Sequence, residues 1–234
     1  MIKLTKAIAD IGRVNAAYVK VLCHFAAYGE YEKIGLFWVQ TDESDTATAV
    51  ISCIDGVMTV SAGNADFEEL KQFVMAISPN GIFTDIETAQ KLDLKIETEC
   101  TTLKRKPPFE SEKVIENTYC GVEYLYNTLA TGLNLGDKTA FIADVSHRLR
   151  HNCASYVTSD FSAAAILYSG EYAMINGIAV KPGNKRKGLG TTTLNRLLQG
   201  VKNRTVFVCA EEKNVPFYLK NGFTPDDKSA YCRL

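Results

Sequence analysis

The sequence predicts a mixed α/β fold built on a mainly antiparallel sheet flanked by helices. Three observations carry that prediction. The runs "ASYVTSD", "SAAAILYSG" and "YAMINGIAV" follow one another across short turns, as the strands of an antiparallel meander do. The chain then alternates, with helical spacing from Leu189 to Val201, a strand "RTVFVCA", a helix "KNVPFYLKN" and a last strand "SAYCRL". A shorter α/β pattern precedes both, across a break near "LKRKPPFESEK", Leu103 to Lys113, where three cations are followed by two prolines. Two domains are therefore expected, a smaller one over 1–106 and a second over 107–234.

Before the break, "KIGLFWVQ" reads as a strand. "TATAVISCIDGVMTVSA" reads as two strands split at Asp55-Gly56, a pair suited to the positive backbone angles of a tight hairpin. "ADFEELKQFVMAI" has helical spacing, "GIFTD" is strand-like, "IETAQKLDL" is a short helix, and "KIETECTTLK" alternates as a strand. After the break, "SEKVIENTYCGVEYLYNTLATG" puts Val114, Ile115, Val122, Leu125 and Leu129 near one helical face, and "DKTAFIADVSHRLRHN" makes a second helix.

Composition narrows the function. The formal net charge is −1, with 27 acidic against 26 basic side chains, so no global field recommends nucleic acid or an anionic membrane as partner. Any basic function must be local. Seven cysteines, odd in number and mostly inside apolar runs, look like reduced core thiols, with no C-x-x-C pair or Cys/His cluster at metal spacing; no metal is expected. Asp10 and Arg13 interrupt what would have to be the apolar part of a signal peptide, and no run reaches membrane-spanning length. A cytoplasmic protein is expected.

The local basic feature is "GNKRKGLG", Gly183 to Gly190, lying between the strand "NGIAV" and a helix. A helix start leaves amides unpaired and carries about half a positive charge, so a strand-to-helix turn binds an anion by backbone alone. Gly188 and Gly190 leave clearance there, and Lys185, Arg186 and Lys187 attract from a distance. A solvated basic turn is the bland alternative. The G-x-x-x-x-G-K-[ST] loop does not occur, and G-x-G-x-x-G fails at Thr193.

A third pattern fits. "IAVKPGNKRKGLGTTTLNRLL" resembles the acyl-coenzyme A loop of the GNAT acetyltransferase superfamily, through Val180, Pro182, Gly188 and Gly190, with Lys185 where that family has Arg or Gln. "NVPFYLKNGF" is similar to the family's other recurrent motif through Asn214, Phe217, Tyr218, Gly222 and Phe223. The resemblance covers roughly Lys113 to Leu234 and implies acetyl-CoA as co-substrate, with no metal. The first half looks like a degenerate copy of the same unit. It lacks a glycine loop between "MTVSA" and "DFEELKQF", so only the C-terminal domain is expected to bind coenzyme A.

The resemblance also implies residue roles. The Ile178 amide would hold the thioester carbonyl, with Ala179 and Val180 beside the pantetheine arm. The amides of Arg186, Lys187, Gly188, Leu189, Gly190 and Thr191, with Lys185 nearby, would hold the pyrophosphate. Asn214 and Phe217 would complete the coenzyme site, and Tyr218 would be the general acid. Glu212, after the strand "TVFVCA", is the candidate base acting through water, although a Glu pair with Glu211 at a helix start also serves as a favourable N-terminal charge. His147 and His151, four apart on a helix, read as a half-exposed structural face.

The expected activity is N-acetyl transfer from acetyl-CoA to a primary amine of a small molecule or peptide by direct aminolysis. A non-catalytic acyl-CoA-binding regulatory module is the competing reading. A homodimer is compatible with the sequence.

Overall fold

In the computed structural model, residues 1–31, 33–109 and 121–234 are described. Val114 and Ile115 lie outside the described residues. In chain order the elements are β1 (Ile2–Leu4), α1 (Ala16–Tyr28), β2 (Gly35–Thr41), β3 (Ala47–Ile54), β4 (Val57–Ala62), α2 (Phe67–Ile77), β5 (Gly81–Asp85), α3 (Ile86–Lys91) and β6 (Lys95–Arg105). There follow α4 (Val122–Leu129), α5 (Lys138–Arg150), β7 (Ala154–Thr158), β8 (Ser162–Ser169), β9 (Tyr172–Val180), α6 (Leu189–Gln199), β10 (Thr205–Ala210), α7 (Val215–Lys220) and β11 (Thr224–Arg233). The sheet is mixed and mostly antiparallel, as expected; β4 pairs β5 and β9 pairs β10 in parallel.

The chain divides into two compact units, Met1–Lys104 with Val208–Leu234, and Arg105–Phe207. The first unit therefore takes in the last stretch of the sequence. Its strand order is β1-β2-β3-β4-β5-β11-β6, so β11 fills the place between β5 and β6. Ala230 lies opposite Thr84 on one side and Glu99 on the other. It is fully buried and joins Cys232 in a core with Trp38, Ile51, Met58, Leu70 and Ile82. A strand's choice of neighbours over such a distance leaves no trace in its local pattern, which reports only burial and period.

Three features of this unit differ from the sequence reading. The helix α1 was not foreseen: Val19, Val21, Cys23 and Ala27 are buried along with Tyr18 and Tyr28, so the helix is apolar on more than one side and shows no polar stripe. Its start is marked by Asn15, whose side chain accepts from the Tyr18 amide at 2.9 Å. The short edge strand β1 was not foreseen either. The strand β11 begins at Thr224 rather than Ser229, with an irregularity between Pro225 and Lys228 where proline breaks the alternation.

The second unit has the order β10-β9-β8-β7. β7, β8 and β9 form the expected meander. Leu125 and Leu129 of α4 and Val145 of α5 pack on Ala163 and Ala165 of β8 and Ala179 of β9. The small side chains let the helices lie close. Alternation sends Ala164 and Ile166 to the opposite side of the strand, where both are buried. The helix α6 buries Leu194, Leu197 and Leu198.

Candidate functional site

Strand β9 pairs with β8 along its length but with β10 only at Tyr172, Ala173 and Met174. Ile175 to Val180 thus runs on past the parallel register. Within that stretch Ile175 faces Ile166 and Gly177 faces Ala165, which leaves Asn176 as an extra residue: a bulge, a device that re-aims a strand and recurs beside active sites. At Gly177 the backbone comes close to the end of the Leu133 side chain. A Cβ there would come 2.8 Å from Leu133 Cδ1. Beyond the bulge Ile178, Ala179 and Val180 face Ala164, Ala163 and Ser162.

The loop that follows is held at its base by the Lys181 amide donating to the Phe161 carbonyl at 2.7 Å, and the Asn184 amide donating to the Lys181 carbonyl at 3.1 Å. Gly183, Arg186 and Gly188 have φ of 80°, 63° and 80°. Left-handed residues interspersed with others turn successive amides toward one concavity, the arrangement that binds anions. For Arg186 that conformation is strained, and such strain gathers at ligand clamps. Gly188 precedes α6 with no side chain capping the helix and no acid in its first turn. The first helical acceptor is the Gly188 carbonyl, taken by the Thr192 amide. The amides of Leu189, Gly190 and Thr191 come before it, in the turn where helix amides lack a helical partner. Lys185, Arg186 and Lys187 are exposed. A Cβ on Gly188 would meet nothing within 4 Å, so open space lies over this turn.

The other motif residues belong to Val208–Leu234. Glu211 and Glu212 are exposed after β10, and Glu211 pairs with Lys213 at 2.5 Å. Glu212 opens a 3-10 turn ending at Asn214. Asn214 takes the N-cap position of α7, yet its side chain makes no capping bond and stays exposed. Phe217 is half-buried. Tyr218 is buried, with its ring edge-on to Phe217 at 5.1 Å and to Phe223 at 5.4 Å. Burial, and secondarily Cys209, pushes its hydroxyl well above the ordinary tyrosine range. At neutral pH it keeps its proton, as an acid must.

By sequence alone Cys209 is one more core thiol. Its neighbour Cys100, whose thiol donates to the Ser229 carbonyl at 3.5 Å, acts on it first, the Thr102 hydroxyl lies 3.9 Å away, and Lys20 and Ser229 add to the pull, so the Cys209 thiol is held low while that of Cys100 is pushed up. These partners come from β6, β11 and α1, which no local pattern joins. His147 and His151 stack with ring centroids 4.3 Å apart on α5. Among the described residues no group of three or more His, Cys, Asp or Glu side chains could hold a metal ion.

Residues 139–223 match the profile of the Acetyltransferase (GNAT) family. The C-terminal half belongs to the GNAT acetyltransferase family. No curated protein matches the sequence. Among solved structures, a GNAT-family acetyltransferase from Colwellia psychrerythraea is similar with a TM-score of 0.53 at 14% identity, covering 100% of each chain. A GCN5-related N-acetyltransferase from Kribbella flavida gives 0.58 at 11%, covering 79% of this chain and 86% of that one. A tandem GNAT protein from the clavulanic acid biosynthesis pathway gives 0.56 at 10%, covering 99% and 98%. At such identities the likeness is one of fold.

That likeness spans the N-terminal half, which repeats the GNAT succession of antiparallel strands, helix, parallel strand, helix and strand. β4 and β5 even share the short parallel register, Val57 to Thr59 against Gly81 to Phe83. What lies beyond differs. Thr84 Oγ1 bonds across to the Val60 carbonyl at 2.8 Å, and Arg13 reaches the Ala62 carbonyl at 3.2 Å. Asn15 joins Ser61 and the buried Asp85. The helix α2 is capped by its own Asp66, which accepts from the Glu68 and Glu69 amides at 3.1 Å, and both of those residues are acids. The start of α6 lacks a cap and a negative charge; the start of α2 has both.

Proposed function

We propose that this GNAT protein transfers an acetyl group from acetyl-CoA to a primary amine of a small molecule or peptide. The observation that carries the proposal is the start of α6, uncapped, free of acids and preceded by Lys185, Arg186 and Lys187 on a loop with three left-handed residues. Anion affinity there comes from amide dipoles that need no rearrangement, with the cations adding long-range attraction. On this reading Val180 and its neighbours on β9 hold the pantetheine arm, the Ile178 amide polarises the thioester carbonyl, and Asn214 and Phe217 complete the coenzyme site. The amine attacks the carbonyl carbon, the C–S bond breaks, and the departing thiolate takes a proton from Tyr218, which regains one from solvent before the next turnover. A proton leaves the attacking nitrogen to solvent or, through water, to Glu212.

The experiment is a panel of amines, from polyamines and aminoglycosides to amino acids and peptide N-termini, assayed with acetyl-CoA for released free thiol. Acceptor-dependent turnover with at least one class is the expected result. Tight acetyl-CoA binding with no turnover across the panel would replace the enzyme with a coenzyme-binding regulatory module.

A further inference from the structure

We infer that Ser162 and Thr193 are positioning residues for the diphosphate of the coenzyme, setting the place and donor strength of the amides at the start of α6. The inference rests on the coenzyme reading above. Thr193 stands in the second turn of α6 and Ser162 opens β8; they are 5% and 1% exposed. Their hydroxyl oxygens are 2.7 Å apart. The Ser159 hydroxyl lies another 2.7 Å from that of Ser162. At the far end Thr193 Oγ1 donates to the Leu189 carbonyl at 2.8 Å.

Proton counting orients this chain. A hydroxyl has one proton to give. Thr193 spends its proton on the Leu189 carbonyl, so Ser162 donates to Thr193 and Ser159 donates to Ser162. All three hydroxyls point toward the helix start. The Leu189 carbonyl and the Gly190 amide are two ends of one peptide group. Donation to the oxygen polarises that group and makes its N–H a stronger donor, the cooperativity expected of bonded chains in a dry interior. Gly190 is one of the amides that would meet the diphosphate.

A helical threonine bonding back to the carbonyl four residues earlier is common and by itself says nothing of a ligand. The bond to a second element distinguishes this one. Ser162 lies opposite Val180, the last residue of β9, and also grips Thr193. One side chain and its backbone therefore fix both the strand that enters the loop and the helix that leaves it. The span between them carries the three left-handed residues, so its amides keep their direction without help from a ligand. That is preorganisation, which lowers the cost of binding.

The test compares wild type with Thr193→Val, Ser162→Ala, the double variant and Thr193→Ser, by calorimetric titration with coenzyme A and by steady-state kinetics with acetyl-CoA. Thr193→Val should weaken coenzyme A binding by about 5- to 10-fold and raise KM alike, because one bond to a charged ligand's donor is impaired. The kcat at saturating acetyl-CoA should stay within about twofold, the signature of lost uniform binding. Thr193→Ser should restore affinity, and the double variant should lose little more than the worse single, as members of one chain do. Should Thr193→Val fail to fold, Ser162→Ala reads the same chain from the β8 side. Affinity within twofold of wild type in a folded variant, or a loss that Thr193→Ser does not restore, would overturn the inference. Wild type that takes up no coenzyme A would overturn it too, by removing the coenzyme reading itself.

Discussion

The Thr192 amide donates to the Gly188 carbonyl at 3.1 Å, and Gly188 itself sits at φ 80° with no capping side chain. That single bond sets where the helix begins and which amides precede it. Gly188→Val should therefore act in two ways. A branched residue in the left-handed region costs about 1–2 kcal/mol, measurable as a lower thermal midpoint. Its side chain, meeting nothing of the protein within 4 Å, would project into the open space over the turn. The variant should remain folded by circular dichroism and lose acetyl-CoA binding; retained affinity would place the ligand elsewhere.

Asp66→Ala is the matching experiment in the other half. It removes the cap from α2, which typically costs about 1 kcal/mol, read by chemical denaturation. Acetyl-CoA affinity should not change. A change would mean that the N-terminal half takes part in coenzyme binding despite its filled helix start.

Much of the fold was legible because the signals were local. Asp55 and Gly56 have φ of 50° and 76°, as the hairpin required, and the three strands of the meander fall where alternation put them. The helix α1 escaped notice because burial on several sides erases the stripe that periodicity needs. The place of β11 escaped because its partners lie more than a hundred residues away in the chain. The same division runs through the site. Glycines and cations of the loop are contiguous and could be read, whereas the Ser162–Thr193 bond spans 31 positions and the Cys100–Cys209 pair joins distant strands.

The position of β11 carries its own prediction. Deleting Thr224–Leu234 removes the strand between β5 and β6 and the buried Ala230 and Cys232. The N-terminal half should then lose its cooperative unfolding transition and become sensitive to protease. A truncated chain with an unchanged denaturation midpoint would show that this strand contributes little.

Gly177→Ala should destabilise by no more than about 1 kcal/mol, because its methyl group would lie 2.8 Å from Leu133 Cδ1, the end of a half-buried side chain that can turn aside. Leu133→Ala opens space for that methyl. The double variant should be more stable than the sum of the two single losses predicts, in a denaturation double-mutant cycle. Simple additivity would mean that the strand, not the side chain, yields.

Tyr218→Phe keeps the ring between Phe217 and Phe223 and deletes the proton. The kcat should fall by about 10²–10⁴-fold, with KM for acetyl-CoA nearly unchanged. The pH dependence of stability gives a second reading. The folded hydroxyl titrates above its unfolded value of about 10, so its contribution is fully present below that pH and is lost as pH rises toward the folded value. Wild type and variant should match in stability through neutral pH and diverge above about pH 10, with wild type declining faster. Unchanged single-turnover chemistry in the variant would leave Tyr218 as a packing residue.

The most direct measurement of the central claim is the thermal midpoint of the wild-type chain titrated with acetyl-CoA. A ligand held at the start of α6 should raise it saturably, by an amount equivalent to about 2.7 kcal/mol at a hundred times Kd, and dephospho or nucleotide-free analogues should raise it less. Well-folded protein whose midpoint does not move at millimolar acetyl-CoA would contradict the account.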